Sequence, residues 1–106
     1  MNSGKVAAQA SHAALDTYLQ ALELKPQIAK LYKSEHHGIK VCLAVSSLDE
    51  LLKAEYKAKL AKLPHALITD LGYTQFEGQS TITALGIGPA TKDEIKHIVG
   101  SYPLFK

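Results

Sequence analysis

The chain has 106 residues, of which 46% are hydrophobic, and this length and composition predict one domain, residues 1–106, with a modest core. The net charge of +2 does not by itself indicate a nucleic-acid-binding protein, and all 12 basic residues are lysines, so any phosphate contact must use point charges or backbone amides. A single cysteine excludes an intrachain disulfide, and no apolar stretch approaches the ~20 residues of a membrane span, so we expect a soluble, cytoplasmic protein with no membrane contact.

The first predicted element is a helix that begins at Asn2 or Ser3, since either side chain can cap it, and ends near Lys25. Polar side chains recur along one stripe of this helix: Lys5, Gln9, His12 and Asp16. The neighbouring stripe has small side chains and allows close packing on a sheet: Val6, Ala10, Ala13 and Thr17. The polar stripe is either a solvated face or a row of functional groups, and the stripe alone does not distinguish the two.

Pro26 predicts the first turn of a second, short helix, because its missing N–H is no loss there. The His36-His37 pair that follows is a poor metal site, since adjacent side chains point apart and no third ligand is near in the sequence. Residues 39–45 are almost continuously apolar and predict a buried strand in a sheet covered on both faces, with Cys42 in the core.

Alternating helices and strands are predicted for the rest of the chain. Ser47 and Glu50 predict a capping box and a helix from residue 48 to about residue 63, whose lysines form a solvated face or, secondarily, a weak RNA-facing surface: Lys53, Lys57, Lys59 and Lys62. Strands are predicted at 66–69 and 81–87, and a last helix is capped by Thr91 with Glu94 and ends at Gly100. The expected fold class is α/β, with a small mixed sheet flanked by helices on both faces in three layers.

Several polar side chains of this predicted fold can converge at one site: Lys5, Gln9, His12, Asp70, Thr74, Gln75 and Thr83. Because no serine lies in a nucleophile elbow and Cys42 is predicted to be buried, covalent catalysis is not favoured. A lysine, a carboxylate and hydroxyl groups are instead suited to orienting a water and stabilising an oxyanion. Each residue also has an ordinary structural explanation: Asp70 can cap a turn, Thr74 can bond its own loop, and Thr83 can be a plain strand residue.

Three motifs, in this order and spacing, resemble the signatures of the type 2 peptidyl-tRNA hydrolases, the archaeal and eukaryotic class: GKVAAQASHAA at 4–14, TDLGYTQ at 69–75 and TALGIGPA at 83–90. The resemblance spans almost the whole chain. It implies hydrolysis of the ester between peptide and tRNA in peptidyl-tRNA, without a metal or organic cofactor, and often a homodimer. It also implies central roles for Lys5, Asp70 and Thr74, with a site lined by Gln9, His12, Gln75 and Thr83.

The chain departs from the family pattern in three respects. It begins after the hydrophobic first strand, which commonly carries an arginine near the site; Leu71 stands where the family has a small residue; and one residue is inserted between Gln75 and Thr83. Three explanations are consistent with the missing first strand: a misassigned start or truncated chain, a strand supplied by another chain, or a shortened protein that has lost activity. The predicted open sheet edge along residues 39–45 favours self-association. The alternative function is that of a catalytically impaired protein with the same fold, which binds RNA or a protein partner.

Overall fold

A computed structural model describes residues 1–70 and 81–106 and arranges them as four helices and two strands. In chain order these elements are α1 (Ser3–Leu24), α2 (Pro26–Ser34), α3 (Leu48–Leu60), β1 (His65–Asp70), β2 (Thr81–Ile87) and α4 (Lys92–Val99). The predicted α/β class is confirmed. The sheet of the described residues has two antiparallel strands, whereas a larger, mixed sheet was expected.

Local side-chain chemistry sets the beginnings of the first two helices. The Asn2 side chain accepts a hydrogen bond from the Lys5 backbone N–H at 2.8 Å, so Asn2 and not Ser3 caps α1. Pro26 is the first residue of α2, as predicted, because its fixed φ suits the first turn.

The last two helices begin at the predicted capping residues. Thr91 and Glu94 form a complete capping box, in which the Glu94 carboxylate accepts from the Thr91 N–H at 2.9 Å and Thr91 Oγ1 accepts from the Glu94 N–H at 3.2 Å. At α3 the box is only half present. Ser47 Oγ accepts from the Glu50 N–H at 3.2 Å, but the Glu50 carboxylate accepts from the N–H and hydroxyl of Ser46, one residue upstream.

Helix α3 ends at Leu60, three residues before the predicted end near residue 63. Lys62 adopts a left-handed conformation with φ of 58°, and the Leu63 N–H then bonds the Ala58 carbonyl at 3.0 Å, five residues back. This is the bonding of a Schellman C-cap with a lysine in the position usually held by glycine. The turn places Leu63, which is 1% exposed, in the core against Ala58 and Ile98.

The two strands pair with a bulge. The register runs from His65 opposite Ile87 to Ile68 opposite Ala84 and then shifts, so that Thr69 lies opposite Ile82. Thr83 is therefore the extra residue of β2. Bulges bend a strand and redirect one side chain, and they are frequent beside active sites.

Alternate residues of β2 contact helices on opposite faces of the sheet. A Cβ on Gly86 would lie 2.7 Å from the Ala13 carbonyl oxygen and against the Thr17 hydroxyl, so α1 packs directly on the backbone there. Leu85 and Ile87 instead pack against the core cluster contributed mainly by α3 and α4. The three layers are thus α1, the strand pair, and α3 with α4. The close packing on the sheet predicted for the small-residue stripe of α1 is present at Ala13 and Thr17.

The prediction of a buried strand at residues 39–45 is wrong. The segment is extended but forms one isolated bridge, between Leu43 and Leu104, in which the Ala44 N–H bonds the Pro103 carbonyl and the Phe105 N–H bonds the Cys42 carbonyl, each at 2.9 Å. Its apolar side chains are not covered by the described residues: Ile39 is 69% and Val41 66% exposed. Cys42, expected in the core, is exposed as well.

A groove of about 230 Å³ separates this segment from the strand pair. Val45 and Ser46 line one side, Ile82 and Thr83 of β2 line the other, and Leu51 of α3 contributes to the lining. Within residues 1–70 and 81–106, β2 pairs only with β1. The apolar pattern of residues 39–45 is typical of a strand with sheet neighbours on both sides, but within residues 1–70 and 81–106 the segment has only the bridge to Leu104.

Candidate active site

Two residues far apart in the sequence form an ion pair at the end of the strand pair. Lys5 Nζ, from the first turn of α1, lies 2.5 Å from Asp70 Oδ2, at the last residue of β1. The side chains are 26% and 16% exposed, respectively, so the pair is largely shielded but remains open to solvent. A charge-assisted contact in this setting is stronger than a fully exposed salt bridge.

The position of Lys5 is unfavourable for the helix considered alone. The N-terminus of a helix carries a partial positive charge, and a cation there costs a few tenths of a kcal/mol at an exposed site. The first turn of α1 contains no acidic residue of its own. Asp70 supplies the negative charge from the neighbouring strand, so the sheet compensates for an arrangement that the helix itself disfavours.

A second contact joins the same helix to the other strand. Thr83 Oγ1 donates to Gln9 Oε1 at 2.6 Å, and Gln9 is buried with 9% exposure. Thr83 Oγ1 also lies 3.5 Å from the Ile68 carbonyl oxygen across the bulge. The bulge residue thus serves as the polar link between β1, β2 and α1.

The two contacts lie close together. Gln9 is one turn beyond Lys5 on α1, and residues at this spacing share a face. Asp70 pairs with Thr81, two residues before Thr83. The site is therefore a strip at one end of the strand pair, with the ammonium and carboxylate at one part and the buried Gln9 amide and half-buried Thr83 hydroxyl beside them.

Of the three other predicted site residues, one, His12, lies in the described part of the chain. His12 is exposed on α1 and makes no hydrogen bond or ion pair with residues 1–70 or 81–106. Thr74 and Gln75 lie outside the described residues. Of the seven residues expected at the site, the structure brings together four: Lys5, Gln9, Asp70 and Thr83.

Sequence reasoning did not anticipate the bulge or the Ile68 carbonyl beside Thr83. Nothing in the strand pattern of residues 81–87 signals a register shift, because a bulge depends on the partner strand. The pairing of Gln9 with Thr83 was likewise not specified, although both residues were expected at the site.

This arrangement has the groups required to hydrolyse an ester. An ammonium beside the reacting carbonyl stabilises the oxyanion of the tetrahedral intermediate, and a carboxylate accepts a proton from water or orients it. The hydrogen bond between the buried Gln9 amide and the half-buried Thr83 hydroxyl links the helix that carries the ammonium to β2. Among the described residues, no three His, Cys, Asp or Glu side chains are grouped as metal ligands.

Comparison with known protein families assigns the chain. Residues 1–105 match the family described as Peptidyl-tRNA hydrolase PTH2. The chain belongs to this family. A protein from Sulfurisphaera tokodaii named peptidyl-tRNA hydrolase is 42% identical over 107 residues, a match that covers 98% of this chain and 88% of the relative. A protein of the same name from Methanococcus vannielii is 39% identical over 104 residues, with 98% and 88% covered.

The family resemblance drawn from the three motifs is therefore confirmed. All three motifs contribute residues to these two contacts: the first provides Lys5 and Gln9, and the third begins at Thr83. The middle motif provides Asp70 and continues beyond the described residues. In the described part of the chain, no helix combines the length and apolar character needed to cross a bilayer.

Proposed function

We propose that this chain hydrolyses the ester bond between peptide and tRNA in peptidyl-tRNA and releases free tRNA for reuse in translation, as one domain formed by residues 1–106. The observation that carries the proposal is the contact between Lys5 and Asp70, because it places the two charged groups needed for ester hydrolysis side by side. Membership of the peptidyl-tRNA hydrolase PTH2 family supports it.

In the proposed reaction a water attacks the ester carbonyl carbon. Lys5 stabilises the negative charge that develops on the carbonyl oxygen, since its side chain is the more exposed member of the pair. The bond between the carbonyl carbon and the ribose oxygen then breaks. The tRNA leaves as a free hydroxyl after it takes up a proton, and the peptide leaves as a carboxylic acid.

Asp70 has two possible roles, and they lead to different predictions. As a general base it accepts the proton of the attacking water; as an orienting group it only fixes Lys5. Asp70→Asn keeps an oxygen that can accept a hydrogen bond from Lys5 but cannot take up a proton at neutral pH. Loss of most of the single-turnover rate in this variant would indicate a base role, whereas a largely retained rate would indicate an orienting role.

Thr74 is the third proposed catalytic residue, and it places the water or the substrate with its hydroxyl. Gln9, His12, Gln75 and Thr83 are proposed to bind substrate. Hydrolysis needs no metal or organic cofactor in this scheme, because Lys5 supplies the positive charge that a metal ion would otherwise provide. The proposal predicts the same single-turnover rate with and without a chelator of divalent cations.

We also propose that the chain acts in the cytoplasm and self-associates, as a homodimer, through the apolar surface that the described residues leave exposed. Support comes from Ile39 and Val41, which are more than half exposed, and from β2, which pairs only with β1 within residues 1–70 and 81–106. Uncovered apolar edges favour pairing with another chain. Sedimentation equilibrium should show a concentration-dependent dimer, and Val41→Lys should shift it towards monomer. A monomer at every concentration with high thermal stability would contradict the proposal.

The competing function is that of a non-catalytic protein that keeps this fold and binds RNA or a protein partner. The ion pair and the family match favour the enzyme. The measurement that separates the two is single-turnover hydrolysis of a peptidyl-tRNA by the folded 106-residue chain. Absence of turnover by a folded protein would leave the binding protein as the better account.

A further inference from the structure

A second groove lies between α3 and α4, away from the ion pair. It has a volume of about 630 Å³ and is lined by cationic, imidazole and hydroxyl side chains together with one carboxylate: Lys57, Lys96, His97, Ser101, Tyr102 and Asp93. Lys57 comes from α3, and Lys96 and His97 come from α4. The groove therefore collects positive charge from two helices that are far apart in the sequence.

The side chains of Lys57 and Lys96 have no polar partner within the described part of the chain. Neither Lys57 nor Lys96 makes a side-chain hydrogen bond or ion pair with residues 1–70 or 81–106. The glutamates that begin the same helices are already used: Glu50 accepts hydrogen bonds from Ser46, and Glu94 accepts them from Thr91. Asp93 is the carboxylate that remains at the groove, so cationic groups outnumber it.

An ordinary structural explanation covers only part of this arrangement. Both lysines lie in the last turn of their helices, where a cation is stabilised by the negative end of the helix dipole. The helix dipole stabilises a cation at any position around the last turn, whichever way its side chain points. It does not account for two ammonium groups that line one groove of this size and have no ion-pair partner among residues 1–70 and 81–106.

The groove is on the opposite side of the sheet from the helix that carries Lys5. Helix α1 packs on Gly86, whereas α3 and α4 pack on Leu85 and Ile87. The protein measures 43 × 25 × 25 Å along its principal axes. A single ligand that reaches both the ion pair and the groove must therefore extend around the sheet, which the ester end of a substrate cannot do and a folded polynucleotide can.

We propose that the α3–α4 groove binds a backbone phosphate of the tRNA body, remote from the ester. This inference rests on the proposed function, which supplies the polyanion. Lys57 and Lys96 neutralise the phosphate as point charges, as required in a chain without arginine. The Ser101 hydroxyl donates a hydrogen bond to a phosphate oxygen. Contacts of this kind position the nucleic acid and carry no sequence information.

The test compares two double variants with the same loss of charge. Lys57→Ala/Lys96→Ala removes the groove cations, and Lys30→Ala/Lys33→Ala removes two exposed lysines of α2 as a control. Binding of a fluorescent, deacylated tRNA is measured by anisotropy over a range of salt concentrations. The groove variant should bind roughly tenfold more weakly at low salt, and its slope of log affinity against log salt should be smaller in magnitude by about 0.7–0.9, the change for one phosphate. The control should change the affinity less than twofold at the same slope.

Kinetics separate this inference from the proposed function. For peptidyl-tRNA the groove variant should show a raised KM with an unchanged kcat, and for an N-blocked aminoacyl-adenosine ester, which lacks the tRNA body, both constants should be unchanged. Equal weakening by the two double variants, or tRNA binding unaffected by the groove variant, would overturn the inference and leave the proposed function intact. If no ester is hydrolysed, the proposed function fails and the anisotropy comparison still decides the inference. Lys57→Gln/Lys96→Gln provides a second groove variant, and all variants are compared by thermal unfolding.

Discussion

The Thr83 hydroxyl donates to the Gln9 side-chain oxygen at 2.6 Å and so ties the bulge of β2 to the buried face of α1. The contact lies one helical turn from Lys5, whose ammonium meets Asp70 from the other strand. The sheet therefore holds α1 at two neighbouring points, one neutral and buried and one charged and more exposed.

We predict that Thr83→Val destabilises the protein by about 1–3 kcal/mol, because it leaves the buried Gln9 amide oxygen without its donor. Thr83→Ser keeps the hydroxyl and is the matched control, with a smaller effect expected. Denaturant unfolding of both variants measures the difference. Equal free energies of unfolding for the valine and serine variants would show that the hydrogen bond does not stabilise the fold.

A second prediction concerns Gly86, where α1 approaches β2 most closely. Gly86→Ala places a methyl group 2.7 Å from the Ala13 carbonyl oxygen, so α1 must move away from the sheet. We expect a loss of about 1–3 kcal/mol in the free energy of unfolding. Hydrolysis should also slow in the fraction that remains folded, because Lys5 moves with the helix.

Ala84→Gly, at a neighbouring position of the same strand, is the control for a general change of strand composition. It introduces no clash, so any effect comes from lost side-chain packing and backbone entropy. It should therefore leave the single-turnover rate of the folded protein unchanged. A Gly86→Ala variant as active and as stable as the wild type would contradict the close packing described here.

The capping box of α4 should make stability depend on pH in the acidic range. Hydrogen bonds from the backbone and then the side chain of Thr91 lower the pKa of Glu94. A carboxyl with a lower pKa in the folded state stabilises the fold above its unfolded pKa of ~4.3, and this contribution is lost as the pH falls through the folded value. The melting temperature of Glu94→Gln should therefore fall less steeply than that of the wild type below about pH 4.5.

Glu50 provides a comparison, since hydrogen bonds from the side chain and then the backbone of Ser46 lower its pKa in the same direction. Glu50→Gln should likewise make the melting temperature fall less steeply with decreasing pH, and the double variant Glu50→Gln/Glu94→Gln should reduce this fall further. Parallel melting curves for wild type and variants from pH 3 to pH 7 would show that these caps do not contribute to acid sensitivity.

Local side-chain chemistry made the beginnings of the helices predictable from the sequence. Asn2, Pro26, Ser47 and Thr91 each satisfy or remove backbone donors within the first turn of a helix, and the information lies within four residues. The end of α3 was placed too late, because Lys62 adopts a left-handed conformation that glycine usually signals. Lysine gives no such signal.

Features that depend on distant partners were less predictable. Residues 39–45 have a strand composition, but a strand also needs neighbours to bond its backbone, and the described residues supply only the bridge to Leu104. The residues of the candidate site were identified from motifs. The contacts among them required the fold, since 65 positions separate Lys5 from Asp70 and 74 separate Gln9 from Thr83. The bulge that directs Thr83 had no sequence signal at all.

The measurement that tests the central claim most directly is single-turnover hydrolysis of a peptidyl-tRNA by the wild-type chain, Lys5→Ala and Asp70→Ala. Truncating either member of the ion pair should lower the rate by about a hundredfold or more, since loss of one oxyanion-stabilising or proton-accepting group typically costs this much. Folding should change little, because the pair is partly exposed. A wild-type protein that turns over substrate while both folded variants match its rate would contradict the assignment of the ion pair as the catalytic centre.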